Sequence, residues 1–295
     1  MKKIPQSLFD RMRSSLQGLT PAEKRIAMTL IADFPITGLK TVVEIASAAG
    51  VSPATVSRFA ETLGFSGFPE FQRALHEDVI ARFSSPAALF DTQHERSTGT
   101  STVAGRQETA EKLFTKLISQ TIEALNMKEV ESFVQKLADP KRTFYFLGGR
   151  QSGSLARYFQ QLLHNLRGRT VFLDGVDTDA IDILVELDAR DTLVAFDFRL
   201  YQQDTAKFVA AAAARRTQIV LITDPYMSPA VKYASQAFIC HTSTGFPFDS
   251  YASALALVDF LMQQLFVALG DTPHERVTRL EGNRAEFGLE YVYKK

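Results

Sequence analysis

The sequence predicts two folds in one chain: an all-α helix-turn-helix domain, then an α/β doubly wound domain on a five-stranded parallel sheet. Three observations predict it. Residues 41–59 read as helix, tight turn and helix, punctuated by Gly50, Ser52 and Pro53. From Thr143 onward, five short apolar runs alternate with helical patterns, as in a parallel sheet covered on both faces. Between these textures, residues 84–106 are polar, rich in Gly, Ser and Thr, and lack apolar periodicity, as a linker does. The expected domains are therefore residues 1–83 and 107–295.

Helical patterning runs from about Ile4 to Phe83. Thr20 is placed to cap a helix, with Pro21 at its first position and Glu23 where a capping box needs it. In the next helix Val43, Ile45, Ala46 and Ala49 are expected to form the buried face. Gly50 can adopt the left-handed conformation that ends a helix. Ser52 then stands at an N-cap and Pro53 at the first helical position, where a missing N–H costs nothing. Val56, Phe59 and Ala60 fall on the inward stripe of this second helix, and Ala54, Thr55, Ser57 and Arg58 point outward. Small and hydroxylic residues with one arginine, near a helix N-terminus, suit a DNA major groove. An ordinary helical hairpin would carry Glu/Lys pairs on that outward face, and none are present. The expected DNA contacts are Thr41, Ser52, Pro53, Ala54, Thr55, Ser57 and Arg58.

Helical pattern resumes with Leu113, Leu117, Ile118, Ile122 and Leu125, and a helix over Met127–Ala138 is stopped by Asp139-Pro140. The expected strands are Phe144–Leu147, Thr170–Asp174, Thr192–Phe196, Gln218–Thr223 and Ala237–His241. Helices are expected from the first glycine loop to Leu163, over Gln203–Arg215, and from about Ser250 to Leu269. The tail from Thr272 to Lys295 is amphipathic and is expected to form a helix against a partner subunit.

At 295 residues the chain is long enough for two domains with buried cores. It is 45% hydrophobic and 22% charged, an ordinary globular balance. Lys+Arg and Asp+Glu are 33 each, so no global basic field announces nucleic acid. A local patch from Lys2, Lys3, Arg11, Arg13, Lys24, Arg25, Lys40 and Arg58 would serve a small DNA-binding domain. Affinity from so nearly neutral a domain is expected to be modest, salt-dependent and helped by dimerisation. The single cysteine, Cys240, excludes an intrachain disulfide and a multi-cysteine metal site, which suits the cytoplasm. The N-terminal lysines precede no apolar run, so no signal peptide is expected. The apolar stretch Ser253–Leu269 is broken by Asp259, Gln263 and Gln264 and reads as a buried helix rather than a membrane span.

The run from Leu19 to Leu75 closely resembles the N-terminal DNA-binding domain of the RpiR/MurR family of bacterial transcriptional regulators. The resemblance rests on the opening Leu19-Thr20-x-x-Glu23, the core Gly50–Phe59 (GVSPATVSRF) and the tail Gly64–Phe71 (GFSGFPEF), in that order. The stretch from about Phe144 to Leu269 resembles the SIS domain, a sugar-phosphate-binding fold shared by sugar isomerases and the C-terminal half of these regulators. In that family the first loop reads roughly G-x-G-x-S, and Ser152 in Gly148–Gly153 matches its serine. The second loop reads S-x-S followed by a helix-opening threonine. Here Asp197 and Arg199 occupy the serine positions and Thr205 keeps the threonine. An aspartate repels phosphate, whereas an arginine attracts an anion through a bidentate contact. Two readings of that loop stand side by side: a site for a different ligand, or an Asp197–Arg199 ion pair with no ligand role.

These loops meet where ligands bind in doubly wound sheets, at the strand-order switch. The expected effector site is Gly149, Arg150, Ser152, Asp197, Arg199 and Thr205, with Asp197 positioning Arg199 or accepting a ligand hydroxyl. A dinucleotide fingerprint would need glycine where Arg150 stands, so Asp174 at ribose distance does not suffice and no cofactor is expected. Isomerase chemistry would need a positioned base, and neither His164 nor His241 sits in a catalytic motif. No metal-ligand spacing or Ser/His/Asp arrangement is present. The expected function is regulation of transcription, without catalytic residues. A small anionic metabolite, phosphosugar or organic acid, would act on a homodimer or tetramer bound to an approximately palindromic double-stranded operator. The alternative is a sugar-phosphate isomerase with an accessory helical domain, and no membrane partner is expected.

Overall fold

Capping residues set the helices of the N-terminal unit. The computed structural model describes residues 8–32, 40–83, 103–246 and 248–289, and the chain divides into units Met1–Leu89 and Phe90–Lys295. In the first unit, α1 (Leu8–Ser15) leads through a 3-10 turn at Leu16–Gly18 to α2 (Pro21–Ala32). Then come α3 (Val42–Ala49), α4 (Pro53–Thr62) and α5 (Phe68–Phe83). The Thr20 cap forms as expected: its hydroxyl donates to Glu23 Oε2 at 2.7 Å and its N–H does so at 2.9 Å. Leu30, Ile45, Val56, Phe59, Leu63 and Phe71 meet in one buried core, where Phe59 and Phe71 pack edge to face at 5.8 Å. Burying a side chain of this size stabilises by roughly 1.5–3 kcal/mol.

Two expectations for this unit need correction. Val43 is 60% exposed, because the inward stripe of α3 is Val42, Ile45, Ala46 and Ala49. That set follows the i, i+3, i+4, i+7 rule and leaves Val43 a step of the helix away. Arg11 is not part of a free basic surface. Its guanidinium lies 4.5 Å from the Phe65 ring centroid and donates to Leu63 O, fastening α1 to the chain after α4. Ile4, Lys2, Lys3 and residues 33–39 lie outside the described residues, and so do residues 84–102 of the expected linker.

The second unit opens with α6 (Val103–Glu123), which begins inside the stretch read as linker, and α7 (Met127–Ala138). The doubly wound part follows: β1 (Phe144–Gly148), α8 (Gly153–Leu166), β2 (Thr170–Leu173), α9 (Thr178–Ile183), β3 (Thr192–Asp197), α10 (Gln203–Ala214) and β4 (Gln218–Thr223). A 3-10 turn at Pro229–Tyr233, β5 (Gln236–Ile239), α11 (Ala252–Leu269) and α12 (Pro273–Glu286) complete it. All strand pairs are parallel in the order β2-β1-β3-β4-β5. Phe144 is paired with Thr170 on one side and Thr192 on the other. The order reverses between β1 and β3, so the loops leaving those strands open a crevice.

Strand alternation sends Phe144, Phe146, Val194, Phe196, Val220 and Ile222 to one face, under α7, α8 and α11. Leu147, Leu193, Ala195, Ile219 and Leu221 go to the other, under α9 and α10. By length and composition α11 could cross a membrane, with mean hydropathy 1.7, but Ser253, Ala254, Leu257, Val258, Leu261 and Leu265 are buried in this core. The described part of the tail, α12, lies on α8 of its own domain, where Arg276 Nε donates to His164 O at 2.9 Å.

Candidate DNA-contacting helix and effector cavity

Each end of the helix pair α3–α4 is fixed by its own sequence. Thr41 caps α3 in a complete capping box, with its hydroxyl donating to Glu44 Oε2 at 2.7 Å. This hydrogen bond, ahead of the other causes, holds the Glu44 carboxyl below its ordinary range. Gly50 ends α3 at φ 63° and ψ 42°, the left-handed region favoured by glycine. Ser52 then caps α4, accepting the Thr55 N–H at 3.2 Å, with Pro53 in the first turn. At the far end, the Thr62 hydroxyl donates to Glu23 Oε1 at 2.7 Å, tying α4 back to α2. Sequence reasoning missed this link, because the two residues are 39 apart.

The face that α4 turns away from the core carries exposed Ser52, Pro53, Ala54 and Arg58 and half-buried Thr55 and Ser57. The expected contact residues are thus gathered at one helix start, except Thr41, whose hydroxyl donor is engaged by Glu44. Lys24 and Arg25 are exposed on α2.

In the second unit, Gly148 and Gly149 make the crevice possible. A Cβ on Gly148 would stand 2.6 Å from the backbone of Ser152 and Gly153, and one on Gly149 would stand 2.2 Å from Gln202 Oε1. Two cavities open there. The first, about 370 Å³, is lined by Arg150, Arg157, Phe172, Asp174, Asp204 and Thr205 among others. The second, about 330 Å³, includes Arg150, Ser152, Asp197, Arg199 and Tyr251. Gly149, Arg150 and Gln202 line both, and Gln202 Oε1 accepts the Arg150 N–H.

The expected effector residues are therefore divided. Thr205 lines the first cavity, Ser152, Asp197 and Arg199 the second, and Gly149 and Arg150 both. The Ser152 hydroxyl serves the fold: it donates to Phe196 O at 2.8 Å and accepts the Gly149 N–H at 2.8 Å. Its single proton is thereby engaged. Thr205 is only 1% exposed, and its N–H donates to Asp204 Oδ1 at 2.7 Å.

Asp197 and Arg199 do not pair with each other. Successive residues of an extended strand point to opposite sides, and residues two apart share a side only while the strand continues; β3 ends at Asp197. Arg199 Nε reaches Asp249 Oδ2 at 2.8 Å, both side chains being nearly buried. Asp197 accepts the Ser228 hydroxyl and the Gln202 N–H. Burial pushes its pKa up to about 6, against the lowering effect of the Ser228 hydroxyl. Burial does the same to Asp224, also to about 6, although the Tyr201 hydroxyl donates to Asp224 Oδ1 at 2.7 Å. Asp249, Tyr201, Ser228 and Gln202 were invisible as site residues in the sequence, since none belongs to a motif.

Neither histidine named in the sequence lines either of these two cavities. His164 is near the C-terminal end of α8, where Nδ1 is 3.2 Å from Thr170 Oγ1 at the start of β2. The His241 N–H donates to Thr121 Oγ1 at 2.9 Å.

A capped helix pair with an outward face of small and hydroxylic residues, followed by a doubly wound parallel-sheet fold, defines a helix-turn-helix regulator with a second, α/β domain. Residues 6–82 match the helix-turn-helix domain of the rpiR family and residues 136–263 match the SIS domain, and the chain belongs to that family of transcriptional regulators. An HTH-type transcriptional regulator of Haemophilus influenzae is 26% identical over 233 residues, 79% of each chain. Among solved structures, the NanR protein of Vibrio vulnificus complexed with ManNAc-6P is 16% identical, covering 95% of this chain and 98% of that one at TM-score 0.54. The sugar isomerase domain of an RpiR transcription factor from Sphaerobacter thermophilus is 20% identical over 59% of this chain and 98% of that one, also at TM-score 0.54. At these identities the two structures establish the fold.

Proposed function

We propose that this regulator binds an approximately palindromic operator as a homodimer or tetramer in the cytoplasm, and that a small anionic metabolite in the strand-end crevice modulates that binding. The observation that carries the reading is α4: a capped recognition helix with Ala54 and Arg58 exposed on its outward face. One helix of this length reads few bases, and paired half-sites supply the missing specificity. The NanR neighbour holds a sugar phosphate, which supports a metabolite site in the corresponding domain here. The effector would favour one arrangement of the paired DNA-binding domains and so shift a population. We further propose that the crevice binds without turning its ligand over: neither histidine nor glutamate lines its two cavities among the described residues, and Asp197, the lining carboxylate raised to about 6, already accepts the Ser228 hydroxyl and the Gln202 N–H.

The test is a mobility shift on DNA upstream of the protein's own gene. Arg58→Ala should weaken specific binding by about 1–3 kcal/mol if Arg58 contacts a base. Unchanged affinity in a folded variant removes Arg58 from the interface. Sedimentation showing a monomer bound singly to DNA refutes the paired arrangement, and conversion of an aldose phosphate to its ketose refutes the non-catalytic reading.

A further inference from the structure

The two halves of the crevice differ in what they leave available to a ligand. Around the β3 loop the polar groups are already matched: Arg199 with Asp249, Asp197 with Ser228, and Asp224 with Tyr201. Gln202 occupies the Arg150 N–H. A phosphate dianion placed there would meet carboxylates and no uncommitted hydroxyl from Ser152.

The first cavity offers different chemistry. Arg157 is exposed on α8, with its guanidinium 4.4 Å from the centroid of the Phe172 ring. A cation over an aromatic face is held in orientation while its N–H edge stays open. Arg150 lines the same cavity, and Asp174 stands exposed at the end of β2. The formal charges of Arg150, Arg157, Asp174 and Asp204 cancel. Two guanidinium groups can grip one carboxylate, whereas the carboxylate of Asp174 accepts hydroxyl protons. A phosphate monoester, at about −1.5 to −2 near neutral pH by analogy with phosphorylated side chains, would be less well balanced by this set.

We infer that the effector is a polyhydroxylated monocarboxylate, a sugar acid, bound in the first cavity with its carboxylate on Arg157 and Arg150 and its hydroxyls on Asp174. This rests on the effector reading above and names the ligand class and three of its contacts.

The test uses the full chain and four kinds of probe: D-gluconate and D-glucuronate, glucose 6-phosphate, L-glutamine as a zwitterion, and acetate. Binding is measured by calorimetry, with operator affinity as a second readout. A sugar acid should bind at least tenfold more tightly than glucose 6-phosphate or glutamine. Arg157→Ala should weaken it tenfold or more, Arg157→Lys less, and both variants should retain ligand-free operator binding. Asp174→Asn should weaken gluconate but not acetate, which has no hydroxyls. If glucose 6-phosphate binds best and requires Arg199, this inference falls while the effector reading stands. Sugar-acid binding indifferent to Arg157→Ala also overturns it. If no probe binds or alters the operator complex, the result counts against both.

Discussion

Arg199 and Asp249 allow a quantitative test of how the β3 loop is held. Their side chains keep only 7% and 13% of their exposure and meet at 2.8 Å. Two unit charges about 4 Å apart attract by about 4 kcal/mol at an effective dielectric near 20. Much of that attraction offsets desolvation, so the pair as a whole contributes little net stability. Removing one partner is a different matter. Arg199→Ala leaves the Asp249 carboxylate nearly buried and unneutralised, at an expected cost of about 3–5 kcal/mol. Arg199→Ala/Asp249→Ala should be clearly less destabilised than the sum of the single variants, with a coupling of about 2 kcal/mol or more. The assay is urea unfolding followed by tyrosine fluorescence. All eight tyrosines lie between Tyr145 and Tyr293 and the chain has no tryptophan, so the signal reports the second unit alone. Burial already holds Asp249 above the ordinary carboxylate range, against the opposing effect of Arg199. The penalty of Arg199→Ala should therefore shrink as pH falls and Asp249 takes up a proton. Additivity of the single variants to within about 0.5 kcal/mol would refute the reasoning.

Three further outcomes follow from other parts of the molecule. Asp197 and Asp224 both titrate near 6 in the fold against an ordinary 3.8. The folded state thus binds their protons more tightly, so their contribution is fully present below about pH 4 and is lost as pH rises through 6. Asp224→Asn, which resembles the protonated form, should gain on the wild type between pH 5 and pH 7.5 in the same fluorescence assay. Equal differences at the two pH values would contradict this. Gly148→Ala drives a Cβ into backbone 2.6 Å away and should cost about 3 kcal/mol, the upper end of overpacking. Gly149→Ala meets only the Gln202 side chain and should cost about 1 kcal/mol; the reverse ranking would show that the glycine loop is not fixed as described. Ser52→Ala removes the α4 cap and should cost about 1 kcal/mol, seen by circular dichroism but not by tyrosine fluorescence, since residues 1–89 contain no tyrosine.

Much of this architecture is legible in the sequence because it is written in local chemistry. Gly50, Ser52 and Pro53 occupy the turn they announce, and each apolar run of the sheet is bounded by residues that break it. Val43 shows where periodicity runs out: in an eight-residue helix, Val42 and Val43 are equally apolar, and only the packed core separates them. The site was harder to read because its bonds join distant segments. Arg199 reaches Asp249, 50 residues away on another loop, although Asp197, a residue of the same type, stands only two positions before it. Gln202 reaches 52 residues back to the glycine loop. Arg157 signals its place only through Phe172, which belongs to the neighbouring strand.

The anchoring of α4 at Ser52 and at Thr62 has a consequence for how transcription could be controlled through this chain. A helix held at both ends by its own domain arrives at the groove with its shape already set, so little ordering entropy opposes docking. Such a probe behaves as a rigid tooth. In the paired arrangement proposed above, a signal reaching it would have no fold to melt and no helix to complete, and what would remain adjustable is the pitch between one tooth and the next.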